Sequence, residues 1–334
     1  MAAMVMPNIT AFIAWGLIAA LFIPNGWLPN AELAKLVGPI AHYLLPLLLS
    51  YAGGALIHGT RGAVIGTVAT VGAIVGAMTP MLLAAMILAP LAAFFLKRLD
   101  AFTETRTLTG FEMLVSNFSA GLLGAAFAIA AFLWFGPLLE SLTHALGTAV
   151  ATLAEKRLLP LAALVIEPAK VLFLNNAINH GVLTPLGIAA AAQSGQAVHF
   201  LLESNPGPGL GLLFAYWFVG RGTARQSAPG AAVIHFFGGI HEVYFPYVLA
   251  NPVLIAAMWA GGLCANFWFV LSGAGLLATP SPGSILAQMA MAPPGMHLRV
   301  AGGIAAGALA SFAVAAFILK VSSRRQHAAE NATS

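Results

Sequence analysis

Three stretches in the second half of the chain carry more polar side chains than a lipid-facing helix can hold. The first, IEPAKVLFLNNAINHGVLTPLG over residues 166–187, gathers Glu167, Lys170, Asn175, Asn176, Asn179 and His180. The second, HFFGGIHEVYFPYVLANP over 235–252, sets His235, His241 and Glu242 in an otherwise apolar run. The third, LESNPGPG over 202–209, brings Glu203 and Asn205 to a pair of prolines. An ionised side chain at the centre of a membrane helix costs about 2.5–3.5 kcal/mol on insertion scales, so acids at that depth face a cavity, a partner or a substrate. Side-chain amides both donate and accept hydrogen bonds, as a polyhydroxylated ligand requires. Asn175 and Asn179 are four residues apart, as are Asn176 and His180, so a helix would set them on adjacent stripes of one face.

Each of these groups also has a plainer reading. Glu167 and Lys170, three apart, are favoured as a structural ion pair. His235 is favoured as a satisfied core histidine, and His241 is open to the same reading. Glu203 and Asn205 either cap a loop at the water interface or touch a substrate. Glu242 has no basic residue within one helical turn, which excludes a local ion pair and favours a functional role, as is also favoured for His180. The remaining histidines, His42, His58, His144, His199, His297 and His327, lie near helix borders or in the tail without ligand spacing, so neither a metal site nor a cofactor is expected. Arg61 and Glu112 stand at the ends of apolar runs as interface or packing residues. Cys264 is the single cysteine, with no disulfide partner, and is assigned to lipid or core.

The elements that must position these residues follow from composition. The chain has 334 residues, 60% hydrophobic and 7% charged, against about 25% charged in a soluble domain. Apolar runs that meet the need for about 20 helical residues across a bilayer recur at 4–23, 36–57, 120–139, 209–219 with its flanks, 231–249, 253–271 and 300–321. Between 62 and 96 the run is interrupted at Thr79-Pro80 and again at Pro90, which predicts shortened or broken helices. The 166–187 stretch predicts a broken hairpin, with a turn at Gly181 and a second break at Pro185 and Gly187, and Pro206 and Pro208 preclude a regular helix around 202–209. The expected fold class is an all-α polytopic membrane protein with about eight to ten spans plus re-entrant hairpins.

Four regions are expected: a membrane half over 1–140, an amphipathic connecting helix over 141–165, a second half with broken helices over 166–321 and a basic tail over 322–334. The net charge of +4 comes from Lys and Arg scattered over short loops, which argues against nucleic acid and reads as a topology signal. Lys97, Arg98, Arg106, Arg221, Arg225, Lys320, Arg324 and Arg325 then place the C-terminus on the cytoplasmic side. The run from Met4 has no basic segment or cleavage site ahead of it and is expected to be a retained span.

Ordered matches covering nearly the whole chain carry a resemblance: MVMPNITAFIAWGLIAALFIPNGWLPN from Met4, GFEMLVSNFSAG from Gly110, EPAKVLFLNNAINHG from Glu167, ESNPGPGLG from Glu203, GGIHEVYFPYVLANP from Gly238 and SPGSILA from Ser281. In these the chain closely resembles the mannitol permease C component of the bacterial phosphoenolpyruvate-dependent phosphotransferase system. The resemblance implies an inner-membrane homodimer formed through the first half, and a second half that holds the sugar and moves against that scaffold in an elevator fashion. It implies that His180 and Glu242 belong to the substrate site; from the residues themselves Glu242 and His180 are expected to act in catalysis, and Asn175, Asn176, Asn179, Glu203, Asn205 and His241 to be further substrate contacts. It implies a B domain whose phosphocysteine donates the phosphoryl group, charged in turn by an A domain, the phosphocarrier HPr and enzyme I.

Three departures accompany the match. The amphipathic N-terminal leader is missing or shortened, the acidic residue expected beside Pro80 is absent, and no CxxGxGxS-like loop follows, so the phosphodonor is expected on another polypeptide or a part removed. The expected function is mannitol uptake with phosphorylation. The alternatives are a phosphorylation-independent polyol facilitator or sensor, or the same role for another hexitol or fructose.

Overall fold

The computed structural model describes the backbone of residues 2–24, 27–77 and 80–333, and their side chains except at 2, 6, 136, 139, 140, 143, 144, 176, 177, 180, 181 and 323–333. Long apolar segments leave no water to bond the backbone, so they satisfy it internally as helices. Among the described residues the one extended pairing is an isolated antiparallel bridge between Ala197 and Leu276. The chain divides into two compact units, Met1–Trp15 with Lys35–Leu142, and Gly16–Ala34 with Thr143–Ser334. Helix α1, Ile9–Phe22, begins in the first and ends in the second.

In the first unit α2 (Leu45–Val75), α3 (Leu82–Glu104) and α4 (Glu112–Ala130) pack together, and α4 continues into a π turn at Ala131–Phe135. The expected separation of the runs 36–57 and 62–96 takes the form of a bend inside α2, where His58 and Gly59 leave helical geometry and Gly59 adopts φ +55°. Glycine relieves the strain of that left-handed backbone. Of the two interruptions expected beyond it, the first lies between Val75 and Leu82, where Met78 and Thr79 fall outside the described residues. Pro90 does not break its helix but sits inside α3. It lies beside Gly53 of α2, whose missing side chain leaves room for Met4, and neighbouring helices tolerate such a proline in a membrane bundle.

Asp100 on α3 ties this unit together. It accepts from Arg61 Nε at 3.0 Å and Nη2 at 2.9 Å, and its other partner is His58 Nε2 at 2.7 Å, while Arg61 Nη2 also donates to the Ser116 carbonyl at 3.0 Å. The bend in α2 and the end of α3 thus share one carboxylate, and Arg61 carries the link on to α4. Asp100→Ala is expected to lower stability by about 2 kcal/mol, within the range for a charged hydrogen-bond set with partial exposure. Thermal unfolding of the detergent-solubilised protein measures it, and an unchanged midpoint would remove Asp100 from this role.

In the second unit α5 (Gly136–Glu155) ends at the charged triplet, and Arg157 turns the chain with φ +58° into a 3₁₀ segment, Leu159–Ala162. The helix expected over 141–165 is therefore shifted towards the N-terminus and stops ten residues earlier than that range. Helix α6, Ala163–Val171, keeps Pro168 inside it, and the real break follows at Phe173, which has φ +63°. Asn175–Ile178 then resumes a helix that passes through a π turn at Asn179–Leu183 into α7, Thr184–Ser194. The hairpin turn expected at Gly181 is thus not formed. A π turn absorbs the extra residue, and Pro185 stands at the start of α7, where its missing N–H costs little.

Helix α8, Gly207–Val219, starts directly after Pro206 and carries Pro208 in its first turn, so that proline opens a helix instead of preventing one. Helix α9, Gly222–Phe236, ends before Gly239 (φ +73°), and the chain continues as a 3₁₀ turn, His241–Tyr244, and α10, Phe245–Ala250. Helices α11 (Ile255–Ser272), α12 (Ile285–Met291) and α13 (His297–Thr333) complete the unit. Gly207 and Gly211 of α8 let its backbone approach Ile304 and Ala308 of α13, the small-residue contact that lets membrane helices pack closely.

Five helical stretches among the described residues are long and apolar enough to cross a bilayer: Ala31–Val75, Leu82–Glu104, Glu112–Phe135, Pro252–Ser272 and His297–Ser322. The other runs expected as spans are shorter or broken helices. Helices α1, α8 and α9 have 14, 13 and 15 residues, about 20 Å each against a hydrocarbon core of about 30 Å. Gly239 divides what would otherwise have been a span over 231–249.

Candidate functional site

Three of the breaks just described in the second unit end beside a polar side chain. The Phe173 break delivers Asn175, the non-helical residues before α8 deliver Glu203, Ser204 and Asn205, and the Gly238-Gly239 unwinding delivers His241 and Glu242. These groups meet in one buried cluster. Asn175 Nδ2 donates to Glu203 Oε1 at 3.3 Å, and the same side chain stands close to the Glu242 carboxylate. One asparagine therefore lies between two acids from different segments. Glu203 is also close enough to Glu167 to interact with it electrostatically.

Lys170 supplies the cluster's cation. Its Nζ donates to Glu167 Oε1 at 3.4 Å and stands 6.0 Å from the Tyr244 ring centre, with both members of the pair fully buried. The ion pair favoured from the spacing is formed. His235 Nε2 donates to the Pro206 carbonyl at 2.8 Å and His241 Nε2 to the Gly283 carbonyl at 3.2 Å. The two imidazoles meet edge to face at 4.7 Å, and His235 meets Tyr244 at 5.1 Å. His235 is thus buried in the core as expected but bonded through Nε2 alone, holding the end of the Glu203–Pro206 turn.

Asn205 is buried and not an exposed loop cap, its Oδ1 accepting from the Gly207 amide two residues on at 2.8 Å. Glu203 does not lie at an exposed loop tip but is buried beside Asn175. Asn179 is buried too, and its described bond is from Thr184 Oγ1 at 3.4 Å. The side chains of Asn176 and His180 lie outside the described residues. Glu242 differs from the other acids of the cluster: Glu167 and Glu203 are buried, whereas Glu242 keeps a part of its surface uncovered.

What the cluster can do follows from the groups left over. Among the described residues Glu167 Oε2, Asn205 Nδ2, His235 Nδ1, His241 Nδ1, Tyr244 Oη and Gln288 Oε1 are buried without a hydrogen-bond partner. An unpaired buried polar atom costs about 1–3 kcal/mol, so such a concentration marks a place built to meet another molecule's polar groups. With Nε2 of both histidines donating, their Nδ1 atoms accept, as do Glu167 Oε2 and Gln288 Oε1, while Asn205 Nδ2 donates and Tyr244 Oη does either. Mixed donors and acceptors suit hydroxyl groups. Among the described residues no group of three or more His, Cys, Asp or Glu side chains could hold a metal ion.

Tyr244, Ser204 and Gln288 were not singled out by sequence. Tyr244 reads as one aromatic among many in an apolar run; Gln288, the one polar side chain between Ile285 and Met291, was the visible signal. In the first unit a cavity of about 440 Å³ is lined by His58, Arg61, Asp100, Glu104, Glu112 and Ser116 among others. Arg61, His58 and Asp100 there already bind one another.

Residues 2–261 match the family model described as "Phosphotransferase system, EIIC". The chain is 54% identical over 330 residues, 99% of its length, to the PTS system mannitol-specific EIICB component of Geobacillus stearothermophilus, of which it spans 70%. It is 58% identical over 297 residues, 89% of its length, to the protein of the same name from Halalkalibacterium halodurans, of which it spans 64%. It is 54% identical over 319 residues, 96% of its length, to the PTS system mannitol-specific EIICBA component of Escherichia coli K12, of which it spans 50%. The chain therefore covers half to about 70% of the length of these relatives.

Proposed function

The chain belongs to the phosphotransferase-system EIIC family, and from that premise we propose that it binds mannitol in its second unit and passes it through the bacterial inner membrane for phosphorylation by a phosphocysteine B domain. The observation that carries the reading is the buried cluster in which Asn175 bonds Glu203 and stands close to Glu242 among side chains with unused donors and acceptors. A hexitol offers hydroxyls that both donate and accept, matching that inventory. The names of the relatives, which pair mannitol with EIICB and EIICBA components, support the sugar and the B- and A-domain partners.

In the proposed reaction a terminal hydroxyl of mannitol attacks the phosphorus of the phosphocysteine. The O–P bond forms as the S–P bond breaks, the thiolate leaves on the B domain, and the hydroxyl proton passes to Glu242. His180 orients or shares that proton. Asn175, Asn176, Asn179, Glu203, Asn205 and His241 hold the remaining hydroxyls and bind the sugar, while Glu242 and His180 align the reacting hydroxyl for transfer. The doubly charged product does not recross lipid. HPr and enzyme I recharge the A and B domains.

Transport by displacement of the second unit within a homodimer, with the C-terminus in the cytoplasm, is part of the same proposal; division of the chain into two compact units supports it. Equilibrium binding of labelled mannitol to the purified protein, with glucitol and fructose as competitors, is expected to show saturable binding displaced least by fructose. Vesicles given phosphorylated B domain are expected to accumulate mannitol phosphate. Uptake of free mannitol at the same rate without the B domain would replace group translocation with facilitated diffusion.

A further inference from the structure

The segment from Ser281 to Met291 carries no role in the mechanism above, yet it touches both turns that deliver the acids. Gln288, fully buried on α12, donates from Nε2 to the Ser204 carbonyl at 2.8 Å and to Ser204 Oγ at 3.0 Å. Ser204 is the neighbour of Glu203, and its own hydroxyl is tied to the Phe200 carbonyl at 2.6 Å. Five residues before Gln288, the Gly283 carbonyl accepts from His241 Nε2 at 3.2 Å, next to Glu242. A side chain at Gly283 would stand 2.8 Å from His241 Nε2 and 3.1 Å from the Ser204 carbonyl, so this backbone lies wedged between the two turns. Ser284 caps α12, accepting from the Ala287 amide at 3.1 Å, which fixes the angle at which Gln288 projects.

We infer that the 283–288 segment is a brace that sets the spacing between the Glu203 turn and the Glu242 turn, with Gln288 as the positioning residue that fits the site to its polyol. The inference rests on the proposed function. Gln288 holds the turn carrying Glu203, whose contact with a substrate hydroxyl is made equally before and during transfer. Glu242 is carried by its own 3₁₀ turn, His241–Tyr244, to which the Gln288 side chain makes no described hydrogen bond. Loosening the Glu203 turn therefore weakens binding while leaving the transfer step aligned, which appears as a raised KM at nearly constant kcat.

The test uses the whole chain in vesicles with phosphorylated B domain and [¹⁴C]mannitol, alongside Gln288→Met, Gln288→Ala and Ser204→Ala. Methionine keeps the volume of glutamine but cannot donate a hydrogen bond, so it separates positioning from packing. Gln288→Met and Gln288→Ala are each expected to raise KM about tenfold with kcat within about threefold of the parent protein, and to lower the preference for mannitol over glucitol. Ser204→Ala, which leaves the carbonyl acceptor, is expected to raise KM about threefold. If Gln288→Ala does not fold, Gln288→Met and Ser204→Ala carry the test. An unchanged KM and selectivity in Gln288→Met, or a fall in kcat alone, overturns the brace while the function stands. Failure of the unsubstituted protein to phosphorylate mannitol overturns the proposed function, and the brace with it.

Discussion

Glu242→Gln is expected to slow mannitol phosphorylation by about 10²–10⁴-fold, the usual contribution of a positioned general base. Mannitol binding should weaken much less, by about ten- to a hundredfold, corresponding to loss of one charge-assisted hydrogen bond of about 1.5–3 kcal/mol. The asymmetry comes from position. Glu242 is the one acid of the cluster that is not fully covered, and it stands close to Asn175, so glutamine keeps the shape of the side chain but cannot take a proton. Single-turnover transfer from phosphorylated B domain, measured at saturating mannitol, isolates the chemical step from binding. Transfer at the parent rate would remove the base role, and unaltered affinity in the same variant would remove substrate contact as well. A Glu203→Gln variant should give the opposite pattern, a larger change in affinity than in rate.

How much of this could be seen in the sequence depended on whether a signal was local. Intramembrane polarity is local, because an acid in an apolar run needs a reason wherever it sits, and Glu167, Glu203 and Glu242 announced themselves from three separate stretches. That Asn175 lies between Glu203 and Glu242 is not local: the two acids lie 28 and 67 residues away. The positions of the backbone breaks were harder. Proline and glycine mark a break only when the surrounding helix cannot absorb them, and here Pro168 and Pro90 stay inside helices while Gly181 lies in a π turn. The break that delivers Asn175 instead falls at Phe173, a residue type that gives no warning of a left-handed backbone. Gln288 was visible as a lone amide in α12, but its meaning depends on Ser204, 84 residues earlier.

The buried Glu167–Lys170 pair should give the largest stability effects, and its two partners should not behave independently. Lys170→Met leaves the Glu167 carboxylate with no described hydrogen-bond donor, since its Oε2 already lacks one and Oε1 is bonded by Lys170. Removing one partner of a buried pair costs about 3–5 kcal/mol, because an uncompensated charge stays behind. The double variant Glu167→Gln with Lys170→Met removes both charges and should recover most of that loss, as apolar or neutral replacements of buried pairs are often close to neutral. Thermal unfolding of the detergent-solubilised single and double variants measures the coupling directly. Equal stability of the Lys170→Met single variant and the parent, or a double variant as unstable as the single, would contradict it. Mannitol affinity in the double variant then decides what the pair is for. Lys170 lies beside Tyr244 and next to the acid cluster, so a folded double variant that binds normally makes the pair a support for the site. One that folds but no longer binds makes the ammonium a counter-charge that the three carboxylates need in order to receive a neutral sugar.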